Sequence, residues 1–164
     1  YEMLKTECEK RGVKVFFGME AMPDMTSYYE ETPDKAEFLI YGVTPDFMRK
    51  SPERVFKMTV KELHKFCKNN GWILSQAHPF RTGMTYRHPE FLDAAEVIND
   101  NPRQQNNNDL ALKYAEENNL IQTAGSDFHE PQDVRAGVLL KNAITSEKQL
   151  VSELKKRTHK LFAI

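Results

Sequence analysis

Segments of helical periodicity alternate along this chain with short apolar runs rich in β-branched and aromatic residues, and no other feature limits the fold as strongly. Helix-like spacing marks residues 1–11, closing near Gly12; 59–70, closing at Gly71; 106–119; and 146–157. Thr59 and Ser146 stand as N-caps, and Glu62, three residues after Thr59, completes a capping-box pattern. Strand-like runs fall at 13–17, 38–43, 72–74, 94–98, 120–123 and 138–140, with 161–164 as a last candidate. Strands separated by helices predict an α/β domain with a largely parallel sheet or barrel. No internal repeat, low-complexity tract or linker divides residues 1–164, so one domain is expected. Segment 24–35 is polar, with Pro23 and Pro33, and 82–90 is similar; both are expected as long surface loops, where α/β proteins commonly contact their substrates.

At 164 residues, 40% apolar and 29% charged, the chain can bury a single core and lies far from the composition of disorder. With 23 basic and 24 acidic side chains and a net charge of -1, no basic face able to follow a phosphate backbone shows in the totals, so nucleic-acid binding is unsupported. No apolar run approaches the ~18 residues that would span a bilayer. Cys8 and Cys67 lie in helix-like segments without the paired spacing of zinc modules and read as reduced, packed thiols, which points to the cytoplasm.

Three apolar runs lead into metal-ligating side chains. Val13-Lys14-Val15-Phe16-Phe17-Gly18-Met19 leads to Glu20, Trp72-Ile73-Leu74-Ser75-Gln76-Ala77 to His78-Pro79, and Leu120-Ile121-Gln122-Thr123-Ala124-Gly125-Ser126 to Asp127-Phe128-His129. In parallel α/β folds the C-terminal ends of strands gather on one face, so these carboxylates and imidazoles are expected to converge there. In an extended segment Asp127 and His129 would point to one side and Phe128 to the other, into apolar packing. Mixed His and carboxylate ligands suit Zn²⁺, Mn²⁺ or Fe²⁺ and do not choose among them. Such ions lower the pKa of bound water toward ~7 and neutralise charge on a phosphoryl oxygen, so no Ser or Cys nucleophile is needed. Singly, Glu20 reads more readily as a surface carboxylate or helix cap, and His78 before Pro79 equally as a loop residue; the three sites together favour the metal.

Arg81, on the His78-Pro79 loop, has the guanidinium fork that grips a phosphate, with a surface salt bridge as its duller explanation. His64 beside Phe66 reads as helix packing, and His88 and His159 as solvated loop and tail residues.

Gly18-Met19-Glu20, Ala77-His78-Pro79-Phe80-Arg81 and Gly125-Ser126-Asp127-Phe128-His129, in this order, resemble the PHP domain (polymerase and histidinol phosphatase). Ala95-Glu96-Val97-Ile98-Asn99, followed by Asn106-Asn107-Asn108, is similar to the segment that precedes that family's Gly-Ser-Asp-x-His. The resemblance implies a distorted (β/α)7 barrel holding two or three divalent transition-metal ions at the C-terminal ends of its strands. It implies hydrolysis of a phosphorylated small molecule, with metal ligands at Glu20, His78, Asp127 and His129 and with Arg81 on the substrate phosphate.

Family members open with a strand ending in His-x-His, and here no His precedes His64. Together with a first residue, Tyr1, already inside a helical pattern, this gives the expectation of a C-terminal two-thirds portion: a partial barrel, little turnover by itself, unpaired sheet edges and self-association. The rival expectation is a non-catalytic PHP-like module with a structural or regulatory role in a larger protein.

Overall fold

Capping and periodicity decide where the elements begin. In the computed structural model, which describes residues 1–23, 35–50, 53–133 and 136–163, the order starts with α1 (Glu2–Glu9), β1 (Gly18–Ala21), β2 (Phe38–Tyr41), α2 (Pro45–Lys50) and α3 (Glu53–Phe56). It continues through α4 (Val60–Asn69), β3 (Ile73–Gln76), β4 (Ala94–Asn99), α5 (Asn108–Glu117), β5 (Ile121–Gly125), β6 (Ala136–Leu139), α6 (Glu147–Lys155) and β7 (Lys160–Ala163). The expected capping box opens α4: Thr59 Oγ1 accepts the Glu62 N–H at 3.3 Å, and the Glu62 carboxylate accepts the Thr59 N–H at 2.9 Å. Ser146 caps α6 by accepting the Gln149 N–H. Of the expected loops, residues 24–34 lie outside the described residues, while 82–90 is pinned to the core by Tyr86, only 2% exposed, whose carbonyl accepts the Gln76 side chain.

Residues 13–17, expected as a strand, have no regular structure. Their hydrogen bonds go instead toward the start of α6: Phe17 N–H is accepted by the Glu147 carboxylate at 3.1 Å, and Lys14 Nζ donates to the Ile144 carbonyl at 3.3 Å. The strand forms further on, with Glu20 inside it rather than after it.

The sheet corrects the expected barrel. Five strands lie in the order β1-β2-β3-β4-β5, with β2 antiparallel to both of its neighbours, β1 and β3, and with β3, β4 and β5 parallel. Strands β6 and β7 pair with each other in a separate two-stranded antiparallel sheet. A (β/α)7 barrel needs strands of one direction and a sheet that closes on itself, and the described residues provide neither. The α/β class holds; the barrel does not.

Each face of the five-stranded sheet has its own packing. On one, Phe38, Ile40, Leu74, Ala95 and Val97 meet Leu63 and Cys67 of α4 and Ala111 and Ala115 of α5. On the other, Ile73, Ala94 and Ile121 pack on Val151 and Leu154 of α6. Burial and the nearby Asp93 charge push the Cys67 thiol up to about 12, so it stays a packed, neutral group. The α6 layer covers only part of its face, and the C-terminal ends of the parallel strands are left to polar residues.

Leu63 is fully buried and Leu110 is 46% exposed. In denaturant titrations Leu63→Ala is expected to lose about 2–5 kcal/mol and Leu110→Ala less than about 0.5 kcal/mol. Equal losses would contradict the assignment of the α4 face to the core.

Candidate functional site

Strand direction determines which side chains share the polar end of the sheet. The parallel strands β3, β4 and β5 finish there, which places His78 two residues past β3, Glu96 and Asn99 at the end of β4, and Asp127 two residues past β5. Strand β2 runs the other way, so its beginning lies at the same end: the Ala77 N–H donates to the Glu37 carbonyl at 2.9 Å, immediately before Phe38. Glu20 pairs with Leu39, two residues from Glu37 and on the same face by the alternation of a strand.

The His78 side chain is 1% exposed, and its backbone sits at φ 27°, a region non-glycine residues rarely occupy. The Glu96 carboxylate holds that turn, one oxygen accepting the His78 N–H at 3.0 Å and the Asn99 side-chain amide at 2.9 Å. Burial raises the Glu96 pKa, with the Asp127 charge adding to it and these hydrogen bonds opposing it. A Cβ on Gly125 would stand 2.6 Å from the other Glu96 oxygen, so glycine is the residue that leaves Glu96 its place.

Both ring nitrogens of His78 are buried without a hydrogen-bond partner among the described residues. Nε2 nevertheless lies 3.1 Å from a Glu37 oxygen and 3.8 Å from a Glu20 oxygen, and the three ligand atoms all fall within 4.8 Å of one another. The approach to Glu37 suits an ion pair but is not oriented as a hydrogen bond. An imidazole with unused nitrogens facing two carboxylates is a donor set that could hold an ion such as Zn²⁺, Mn²⁺ or Fe²⁺.

Asp127 is near but engaged elsewhere. Its carboxylate forms an ion pair with Arg81 and accepts the Asn101 side-chain amide at 3.2 Å. Burial opposes its ionisation, but the Arg81 hydrogen bond and charge, with Asn101, prevail and hold the carboxyl below its ordinary pKa. Arg81 also donates to Asn106 at 2.8 Å and Asn99 at 3.2 Å. The backbone at Asp127 is left-handed, φ 48°, so the segment 127–129 is not extended. In consequence Phe128, expected in apolar packing, is 59% exposed, and the His129 side chain, 67% exposed, stands at the rim with Nδ1 2.9 Å from the Asp127 carbonyl.

A cavity of about 390 Å³ is lined by Glu20, Glu37, Arg81, Arg103, Asp127 and His129. A smaller one of about 180 Å³ adjoins it through Glu20 and Asp127 and reaches His78 and Glu96. All four expected ligands and Arg81 therefore line one or the other of two cavities that share Glu20 and Asp127. Within them Glu20 and His78 come together, while Asp127 with Arg81 and the outward His129 form a second group. The loop carrying that second group is clamped by Asp133, which accepts the His129 and Glu130 N–H groups at 2.9 and 2.8 Å and the Arg103 fork at 2.7 and 2.8 Å. Sequence reasoning missed Glu37, Arg103 and Asp133. A carboxylate just before an apolar run carries a signal only once that run is known to be antiparallel.

Comparison with known proteins gives two matches. Residues 105–159 match the family model described as PHP-associated, a stretch that contains Gly125-Ser126-Asp127-Phe128-His129 and bears out the resemblance over the C-terminal third. The crystal structure of PsfC from Pseudomonas syringae PB-5123 superposes with a TM-score of 0.70 at 18% identity, over 94% of this chain and 61% of PsfC, a likeness of fold. This chain thus spans about 61% of the length of that protein. No curated protein matches. Among the described residues no helix is long and apolar enough to cross a membrane.

Arg103 hydrogen bonding, with the His129 and Glu130 amides, holds the Asp133 carboxyl well below the usual range. A carboxyl depressed below its unfolded value of about 3.9 contributes stability that is complete above that pH and lost as pH falls through the folded pKa. Asp133→Asn should therefore melt at a lower temperature than wild type at pH 7, with the difference narrowing below about pH 4. A difference independent of pH would rule out the ionised clamp.

Proposed function

We propose that this chain, PHP-associated in its C-terminal third, supplies the cation-binding face of a phosphoesterase that hydrolyses phosphorylated small molecules. The observation that carries this reading is the buried His78 imidazole, with both nitrogens unpartnered, facing Glu20 and Glu37 at the edge of a cavity that also holds two guanidinium groups. Glu20, Glu37 and His78 would hold a divalent ion, with Asp127 and His129 bordering the same space. A bound ion of this kind supplies a water of pKa near ~7 and screens phosphoryl charge.

The protein's own groups do the rest. Arg81 is held at three oxygens, those of Asn99, Asn106 and Asp127, so its positive charge is fixed before any substrate arrives, the preorganisation that favours developing negative charge. Glu96 keeps the His78 turn in its strained form, and Asp133 with Arg103 fixes the loop from Asp127 to Glu130.

One observation favours the second reading, a non-catalytic module. The Asp127 carboxylate is already neutralised by Arg81, and His129 is turned outward, so half of the expected ligand set serves the protein internally.

Assays of the protein that carries this chain, with p-nitrophenyl phosphate and Mn²⁺, decide between them. Turnover should vanish with a chelator and with His78→Ala, and Arg81→Ala should raise KM by about tenfold or more, the loss of a charge-assisted hydrogen bond of about 1.5–3 kcal/mol. Turnover that survives both the chelator and His78→Ala would overturn the hydrolase. Ion binding without turnover on any phosphomonoester would favour the module.

A further inference from the structure

We infer that Met22 and Phe128 form an apolar rim beside the polar cavity, and that this rim selects phosphate esters whose organic part is an aromatic ring. The selection deepens the phosphate-ester reading above and rests on its binding half, not on turnover.

Strand direction places both residues. Strand β1 is antiparallel to β2 and β2 to β3, so β1 runs with β3 and finishes at the polar end of the sheet. Burial alternates along β1, with Met19 and Ala21 inside and Glu20 open, which puts Met22 on the Glu20 face. It follows directly on the Ala21–Phe38 pair, at the level of Glu37. At the other edge of the sheet, Phe128 follows Asp127 beyond the end of β5. The two edges approach each other here, because Glu20 and Asp127 line both cavities. Glu20 and His129 are 46% and 67% exposed on their side chains, so the larger cavity meets solvent next to Met22 and Phe128.

What the rim offers is complementary to what the cavity lacks. Ligand pockets combine apolar walls with a few placed polar groups, and the larger cavity is lined by charged and amide side chains alone. Its volume of about 390 Å³ lies in the range of about 300–1,000 Å³ that takes whole small molecules, so a phosphoryl group inside leaves the rest of an ester at the rim. One apolar side chain in water needs no explanation; Met22 at 56% and Phe128 at 59% exposed, each within two residues of a carboxylate of the same cavity, are a pair. Phe128 is also held in place, since Asp133 accepts the His129 and Glu130 N–H groups just after it. An anchor fixed in advance loses little freedom on binding. A planar ring gains most from such a rim: it stacks on the Phe128 face and contacts the Met22 thioether, whose flexible chain adapts to it.

Calorimetric titration with phenylphosphonate and methylphosphonate, in MnCl₂ and on the protein that carries this chain, tests the rim without requiring turnover. Phenylphosphonate should bind tenfold or more tightly than methylphosphonate. Phe128→Ala and Met22→Ala should each cut that ratio threefold or more by weakening phenylphosphonate alone, and Phe128→Tyr should retain it. Phe56→Ala, at a comparably exposed position in α3, should leave it unchanged. Equal affinity for the two phosphonates, a ratio that either alanine variant leaves unmoved, or no binding of either compound would overturn the inference. A protein that shows the expected ratios and hydrolyses nothing would sustain the rim while refuting the hydrolase. One that hydrolyses p-nitrophenyl phosphate and glycerol 2-phosphate, with both reactions equally affected in Phe128→Ala and Met22→Ala, would keep the hydrolase and remove the rim.

Discussion

The polar end of this sheet is organised around the hydrogen bond between the His78 backbone N–H and the buried Glu96 carboxylate. A histidine at positive φ costs on the order of 1–3 kcal/mol, and nothing in the apolar run before it compensates. Glu96 supplies the restraint from the neighbouring parallel strand, and Asn99 and the bare Cα of Gly125 fix Glu96 in turn. The result is an imidazole that has no hydrogen bond among the described residues and stands against two carboxylates. A turn of ordinary conformation at His78 would leave the carboxylates without a nitrogen between them.

The same restraint extends across the site as one continuous network. Asn99 links Glu96 to Arg81, Arg81 links Asn99 and Asn106 to Asp127, and Asn101 returns from Asp127 to the turn that follows β4. Asn99, Asn101 and Asn106 are nearly buried, 2%, 5% and 7% exposed, and their donors and acceptors are spent on one another and on the charged groups. Buried polar groups are tolerated only when satisfied in this way, and a satisfied network is rigid. The irregularity in β4 between Glu96 and Ile98 has a role in it, because the register shift brings Asn99 opposite Gly125 and so to the level of Asp127.

Much of this could be read along the chain, and the parts that could not share a cause. Glu20, His78 and Asp127 stood out because each follows an apolar run, and the rule that strand ends meet on one face holds for β3, β4 and β5. Periodicity reports that a segment is a strand and which residues share its face; it says nothing of direction. For that reason the alternation of helices and strands suggested a barrel where β1 and β2 in fact run antiparallel, and Glu37 went unnoticed at the start of β2. The run at 13–17 misled for another reason: its hydrogen bonds go to Glu147 and Ile144, about 130 residues away by the simplest loop-closure view a costly contact, and no local pattern announces it. Phe128 turned outward because Asp127 took a left-handed conformation, which the composition of that segment permits but does not demand.

Charge explains why the site divides into two halves rather than gathering four ligands about one point. Glu20, Glu37 and His78 carry two formal negative charges and no fixed positive one, whereas Asp127 is balanced by Arg81, and Asp133 by Arg103. Negative charge is thus left unbalanced on the Glu20 and Glu37 side of the cavity, while the other side pairs its charges internally. That separation depends on Arg81 remaining bonded to the asparagines even when Asp127 is approached, and the two neutral amide oxygens that accept from it, those of Asn99 and Asn106, are what make its position independent of Asp127.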